Sequence, residues 1–100
     1  MGASSSLSDE PASATVTVGK RIRHVRMARQ WSLRRLAFEM RREAVALKKS
    51  APSTASLKPM ISKWEHDRVL PGEFNRRLLA ATLGVPVSDL GMTEDPDYVW

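Results

Sequence analysis

The side chains with the most chemical potential in this sequence are donors rather than nucleophiles. The stretch SLKPMISKWEHDRVLP, residues 56–71, sets Lys58, Lys63 and Arg68 among Ser56, Pro59 and Ser62. Ammonium, guanidinium and hydroxyl groups donate hydrogen bonds and are suited to anionic oxygens. The sequence offers no Ser-His-Asp set, no paired catalytic acids and no phosphate-binding glycine loop, so no enzyme and no cofactor is expected. His24 and His66 have no companion ligand cluster, so no metal is expected and an exposed or phosphate-facing role is. With no cysteine, thiolate chemistry and disulfides are excluded, in keeping with a reducing cytoplasm.

The charge is unevenly placed. All 16 Lys and Arg fall between Lys20 and Arg77, with five acids among them (Glu39, Glu43, Glu65, Asp67 and Glu73), a net charge of +11. The other acids lie in the two ends. Such a block is the footprint of a domain that meets a polyanion; an arginine-rich solvated surface is the plainer alternative. No apolar run is long enough for a membrane span, so no membrane partner is expected. The opening MGASSSLSDEPASA lacks the basic and apolar blocks of a signal peptide, and its Met-Gly with Ser6 is only a short match to a myristoylation pattern.

Elements that would position these donors follow from periodicity. Residues 1–15 are rich in Ser, Ala and acid with one Leu, too little to offset ordering entropy, and are expected to be disordered. Thr17 is a plausible N-cap for a helix with Val18, Ile22 and Val25 on one face, ending near Arg29 or Gln30. Ser32 caps a second helix, LRRLAFEMRREAVALKK, whose Leu33, Leu36, Ala37, Met40, Ala44 and Leu47 form one stripe. Lys48 and Lys49 sit at its C-terminal end, where the dipole favours cations. SAPSTAS is a loop. A third helix is expected to begin between Ser56 and Pro59, with proline tolerated in the first turn, and to run to about His66. EFNRRLLAATLG is a fourth helix with Phe74, Leu78, Leu79 and Leu83 inward and Gly84 as its stop. VPVSDLG forms one helical turn. The reading is all-α, five short helices.

At this point a resemblance becomes specific. The segments VGKRIRHVR, SLRRLA, MISKWEHDRVLP and LLAATLGVPVSDL, in that order, resemble the lambda-repressor and Cro-like helix-turn-helix family, often called XRE-type. The match covers roughly residues 18–91. Ile61-Ser62-Lys63-Trp64-Glu65 is similar to the family's recognition helix, and Leu83 to Leu90 to its closing segment. The resemblance implies a compact five-helix DNA-binding domain over residues 16–91, with an insertion at 41–55, a disordered tail at 1–15 and an acidic tail at 92–100.

Its third helix would lie in the DNA major groove with its leading residues at the base edges. Ile61 and Trp64 would face the protein. Lys58 and Pro59 would take the leading base-reading places, with Ser62 and Lys63 a turn later; lysine donates to guanine O6 and N7, and proline gives apolar contact. Phosphate contacts would fall to Ser32, Arg34, Ser56 and Arg68, and Lys48 and Lys49 would reach flanking phosphates if the insertion is functional rather than a tolerated surface feature. Arg26 and Glu65 would form a buried ion pair between the first and third helices. The sequence departs from the family in its long step from Ala37 to Ile61, in Leu33 where a glutamine is common, and in Gln30 where a glycine commonly ends the first helix.

The function implied is sequence-specific double-stranded DNA binding by a small bacterial transcriptional regulator, acting as a homodimer or with a partner protein. A DNA-binding antitoxin or a protein-interaction adaptor is the alternative. Leu90, Met92, Tyr98 and Trp100 are candidates for a dimer interface, and the acidic tail could fold over the basic face.

Overall fold

The fold is known from a computed structural model that describes residues 16–100; the expected disordered tail, with its Met-Gly pattern, lies outside the described residues. Thr17 opens the first helix, α1 (Val18–Ala28), and its hydroxyl accepts the N–H of Lys20. Behind α1, Gln30 takes a left-handed conformation (φ 60°). That closes the helix through bonds from Gln30 N to Met27 O and from Trp31 N to Arg26 O.

Ser32 caps α2 (Leu33–Ala46), accepting from Arg35 N. Leu36, Ala37, Met40 and Ala44 are its buried stripe. The helix stops three residues before the expected Lys49. Lys48 is left-handed (φ 59°), and Lys49 N turns back to Ala44 O at 2.8 Å. This sharp end lets the chain reverse, so that Ala51 packs against the core.

The third helix begins earlier than expected. Ser53 is the N-cap of α3 (Thr54–Glu65), and its hydroxyl accepts Ser56 N. The reason is Leu57: with Ile61 and Trp64 it forms an i, i+4, i+7 row that is buried in full. Pro59 is therefore not in the first turn but inside the helix. Its ring removes the donor that would serve the Ala55 carbonyl, a defect that costs about 3 kcal/mol in an ordinary helix interior.

α4 (Glu73–Leu83) ends at left-handed Gly84, and a single 3-10 turn (Val87–Leu90) follows, standing where a fifth helix was expected. The described residues are thus all-helical: four α-helices and one 3-10 turn, with no strand. α3 lies between α1 and α2, and α4 packs on α2. Ile22, Leu36, Met40, Leu57, Ile61, Leu78, Leu79, Leu83 and Leu90 make the solvent-free centre of one core. Among the described residues no helix is long and apolar enough to cross a membrane.

The C-terminal segment does not lie over the basic α3 face. It straps onto α4. Arg77 pairs with Glu94 at 2.9 Å and donates to Asp95 O, Arg76 donates to Thr93 O, and Asp95 N donates to Glu73. Tyr98 sits under the Arg77 guanidinium, and Trp100 packs on Phe74. Leu90 and Met92 are core residues, so the dimer role considered for them is corrected: their apolar surface is already spent inside the chain.

Candidate nucleic-acid interface

α3 has two unlike faces. Leu57, Ile61 and Trp64 point into the core, while Ala55, Pro59, Lys63 and His66 are exposed and Ser62 is half-buried. Pro59, Ser62, Lys63, His66 and Arg68 line one shallow depression along the outer side. Three of the residues proposed from sequence to read bases are brought together there. Lys58 is exposed, but at about 100° per residue it lies to one side of this row. With the helix starting at Thr54, Lys58 and Pro59 are no longer its leading residues; that expectation is corrected, and Thr54, Ala55 and Ser56 lead instead.

His66, expected from sequence to be exposed or phosphate-facing but not named among the contact residues, joins this row. It follows Ser62 by four, and its Nδ1 lies 2.7 Å from the Ser62 carbonyl. The i, i+4 spacing with Ser62 was the available signal, but the helix end beyond Glu65 hid which way the ring would turn.

The electrostatics of this face depend on where two nearby acids go. Glu65 turns inward. Arg26 grips it with two bonds, Nε to Oε2 at 2.6 Å and Nη2 to Oε1 at 2.9 Å, and spends Nη1 on the Trp31 carbonyl at 2.8 Å. The bond to Glu65 raises the Arg26 pKa above its ordinary range, against the opposing effect of burial. Asp67, left-handed at φ 58°, turns back to the start of α1. It accepts from the Thr17 hydroxyl at 2.6 Å and from Gly19 N at 2.9 Å. Those bonds, the Thr17 hydroxyl first, hold its carboxyl below the usual carboxylate range. Both acids are thereby withdrawn, and the outer face keeps Lys63, Arg68 and His66.

Gly19 makes this junction possible. A Cβ there would meet the carbonyl oxygens of Trp64 and Glu65 at 2.5 Å. Only glycine lets α1 approach the last turn of α3 closely enough for both the ion pair and the Asp67 cap.

A second depression lies at the leading end of α3, lined by Ser32, Arg34, Arg35, Phe38 and Thr54. It brings the N-termini of α2 and α3 side by side. Ser32 and Ser53 each satisfy one first-turn N–H, which leaves the N–H groups of Leu33, Arg34, Thr54 and Ala55 without a helical acceptor. Arg34 is exposed and makes no ion pair among the described residues, whereas Arg35 is tied to Glu39 at 2.7 Å. Trp31 is half-buried under the guanidinium groups of Arg29 and Arg35.

Three other backbone-contact expectations fare differently. Ser56 is exposed, but its N–H is committed to the Ser53 cap and its Oγ lies 3.2 Å from the Ser53 hydroxyl. Lys48 is exposed at the turn after α2. Lys49 is corrected: its ammonium lies over the Trp100 ring and donates to the Trp100 carbonyl, because the C-terminal strap reaches the end of α2. Among the described residues, no three His, Asp or Glu side chains converge as a metal site.

Comparison with protein-family models finds no match, and comparison with curated proteins and with solved structures finds none either.

Proposed function

We propose that the protein is a lambda-repressor-like, helix-turn-helix regulator that binds double-stranded DNA in a sequence-specific way. The observation that carries this reading is the outer face of α3, which is cationic and hydroxylic while both adjacent acids, Glu65 and Asp67, are turned away and bonded. An α-helix fits the major groove when one face is core and the other is free. Ser62, Lys63 and the rigid ring of Pro59 meet the base edges. Arg68 and His66 meet the backbone at one end of α3; Arg34, with the free N–H groups of α2 and α3, meets it at the other.

The helix-breaking Pro59 supports the same reading. A residue that weakens its own helix, placed at the centre of the exposed face rather than in the core, is what a functional surface retains at the expense of stability. The protein acts as a two-fold dimer or beside a partner, since one short helix offers few base contacts.

The test is selection of binding sites from a random duplex library at about 150 mM salt, where exposed charge pairs beyond about 8 Å are screened. An enriched two-fold palindrome supports the reading. Retention of all sequences, with binding that collapses as salt rises, would leave only a phosphate-gripping surface.

A further inference from the structure

The outward side of α2 is apolar at its centre. Phe38 and Val45, seven residues apart, are 50% and 68% exposed and stand on the side opposite the buried row of Leu36, Ala37, Met40 and Ala44. With Arg41, Arg42 and Ala46 they line one continuous depression. Two apolar residues at this spacing span about 10 Å, two turns of helix. Val45 and Ala46 belong to the part of α2 that the sequence resemblance leaves unexplained.

The charged side chains that line this depression are Arg41 and Arg42. Arg41 is committed only to the carbonyls of Ala51 and Pro52. Arg42 shares Glu39 with Arg35, and Glu39 itself is largely covered. An apolar centre with a cationic rim excludes two occupants. DNA would engage the arginines but leave Phe38 and Val45 in water with nothing gained. A second copy laid across the same face would set arginines against arginines, since a two-fold contact pairs like patches.

We infer that the outer face of α2 is a docking surface for an acidic amphipathic helix of a partner protein, with aliphatic or aromatic residues meeting Phe38 and Val45 and flanking carboxylates meeting Arg41 and Arg42. The helix-on-helix mode needs anchors at i, i+4 and i+7 in the partner, which matches the Phe38 to Val45 span. The insertion thus adds a protein contact beside the DNA surface.

The experiment uses the full chain, isotope-labelled, and a synthetic peptide of about 16 residues with Leu at i, i+4 and i+7 and Glu on both flanks. A scrambled peptide of equal composition is the comparison. The expected result is saturable amide shifts at Phe38, Arg41, Arg42 and Val45 with the patterned peptide only. Phe38→Ser with Val45→Ser is expected to weaken binding by about tenfold or more, with little change in melting because both side chains are exposed. Arg42→Glu is expected to lose the acidic peptide and to accept its Lys-for-Glu counterpart. Equal binding of the scrambled peptide, shifts confined to α3, or no binding at all would overturn the proposal. So would a self-associated species in sedimentation that Val45→Ser abolishes, which would assign the face to a second copy.

Discussion

The outer faces of α2 and α3 carry the same sign of charge and differ in what stands at their centres. On α3, lysine, serine, histidine and the outlying Arg68 surround a proline ring, and nothing larger than that ring is apolar. On α2, arginines surround Phe38 and Val45. Net charge does not separate a groove-reading surface from a protein-docking one. The separation lies in what occupies the centre of the patch: hydrogen-bond donors suit a solvated polyanion, whereas exposed aliphatic and aromatic carbon gains only when another apolar surface covers it.

The comparison rests first on α3 being held in place, and the largest expected effect tests that. Glu65→Ala leaves Arg26 buried without its carboxylate and is expected to cost about 3–4 kcal/mol of stability, read by urea unfolding. A variant that unfolds at the parent's urea midpoint would mean that the pair does not anchor α3 and that the orientation of its outer face has another source.

Pro59→Ala sharpens the contrast from the opposite side. Restoring the helix donor is expected to stabilise the fold by about 1–3 kcal/mol, seen as a raised melting temperature, and to weaken binding to a selected duplex. Higher stability with unchanged affinity would remove proline from the reading surface. Lys63→Ala is expected to cost about 1–3 kcal/mol of DNA affinity if it reads a base, with relaxed preference at one position of the site. A uniform loss across sequences, with a shallower salt dependence, would place it on phosphate. Val45→Ser is expected to leave both measurements unchanged, which is the direct break between the two faces.

Acid should loosen the α1–α3 junction. Because Asp67 titrates lower in the folded chain than in the unfolded one, its contribution is fully present above about pH 4. It is lost as pH falls through the folded value, where the unfolded chain takes up the proton first. Unfolding free energies at pH 5 and pH 3 should therefore converge between the parent and Asp67→Asn; a difference that persists at low pH would show that the Thr17 and Gly19 bonds do not depend on the carboxylate. A modest gain, about 1 kcal/mol from relieving a left-handed residue, is expected from Gln30→Gly.

Local chemistry was legible in advance. The caps at Thr17 and Ser32, the glycine stop at Gly84 and most of the buried rows of α2 and α4 follow from residue type and spacing, because a cap or an amphipathic stripe involves neighbours along one helix; Leu47, expected in the α2 stripe, is exposed because the helix ends before it. The start of α3 was hidden by Pro59: the proline looked like a first-turn residue, and the row of Leu57, Ile61 and Trp64, which places the start a turn earlier, was the stronger signal. Likewise Lys48 and Lys49 continued a helical pattern that ends at Ala46, since a left-handed lysine has no sequence mark.

What the sequence determined by itself is an all-helical chain with a concentrated positive block and a short helix that carries donors on one side. The Arg26–Glu65 pair was expected through the family resemblance; what only the tertiary structure decided is where Asp67 goes and how closely α1 meets α3. Glu65 and Asp67 are adjacent to the donor face in sequence, and nothing local withdraws them. Their partners, Arg26, Thr17 and Gly19, lie about 40–50 residues away along the chain, brought within reach because Gly19 has no side chain to hold α1 off the end of α3. The same holds for the C-terminal segment: composition marks it as acidic, but only packing decided that its carboxylate Glu94 binds Arg77 on α4 and leaves the face of α3 uncovered. Long-range ion pairs and close backbone approaches carry no periodicity, and so residue spacing along one helix does not reveal them.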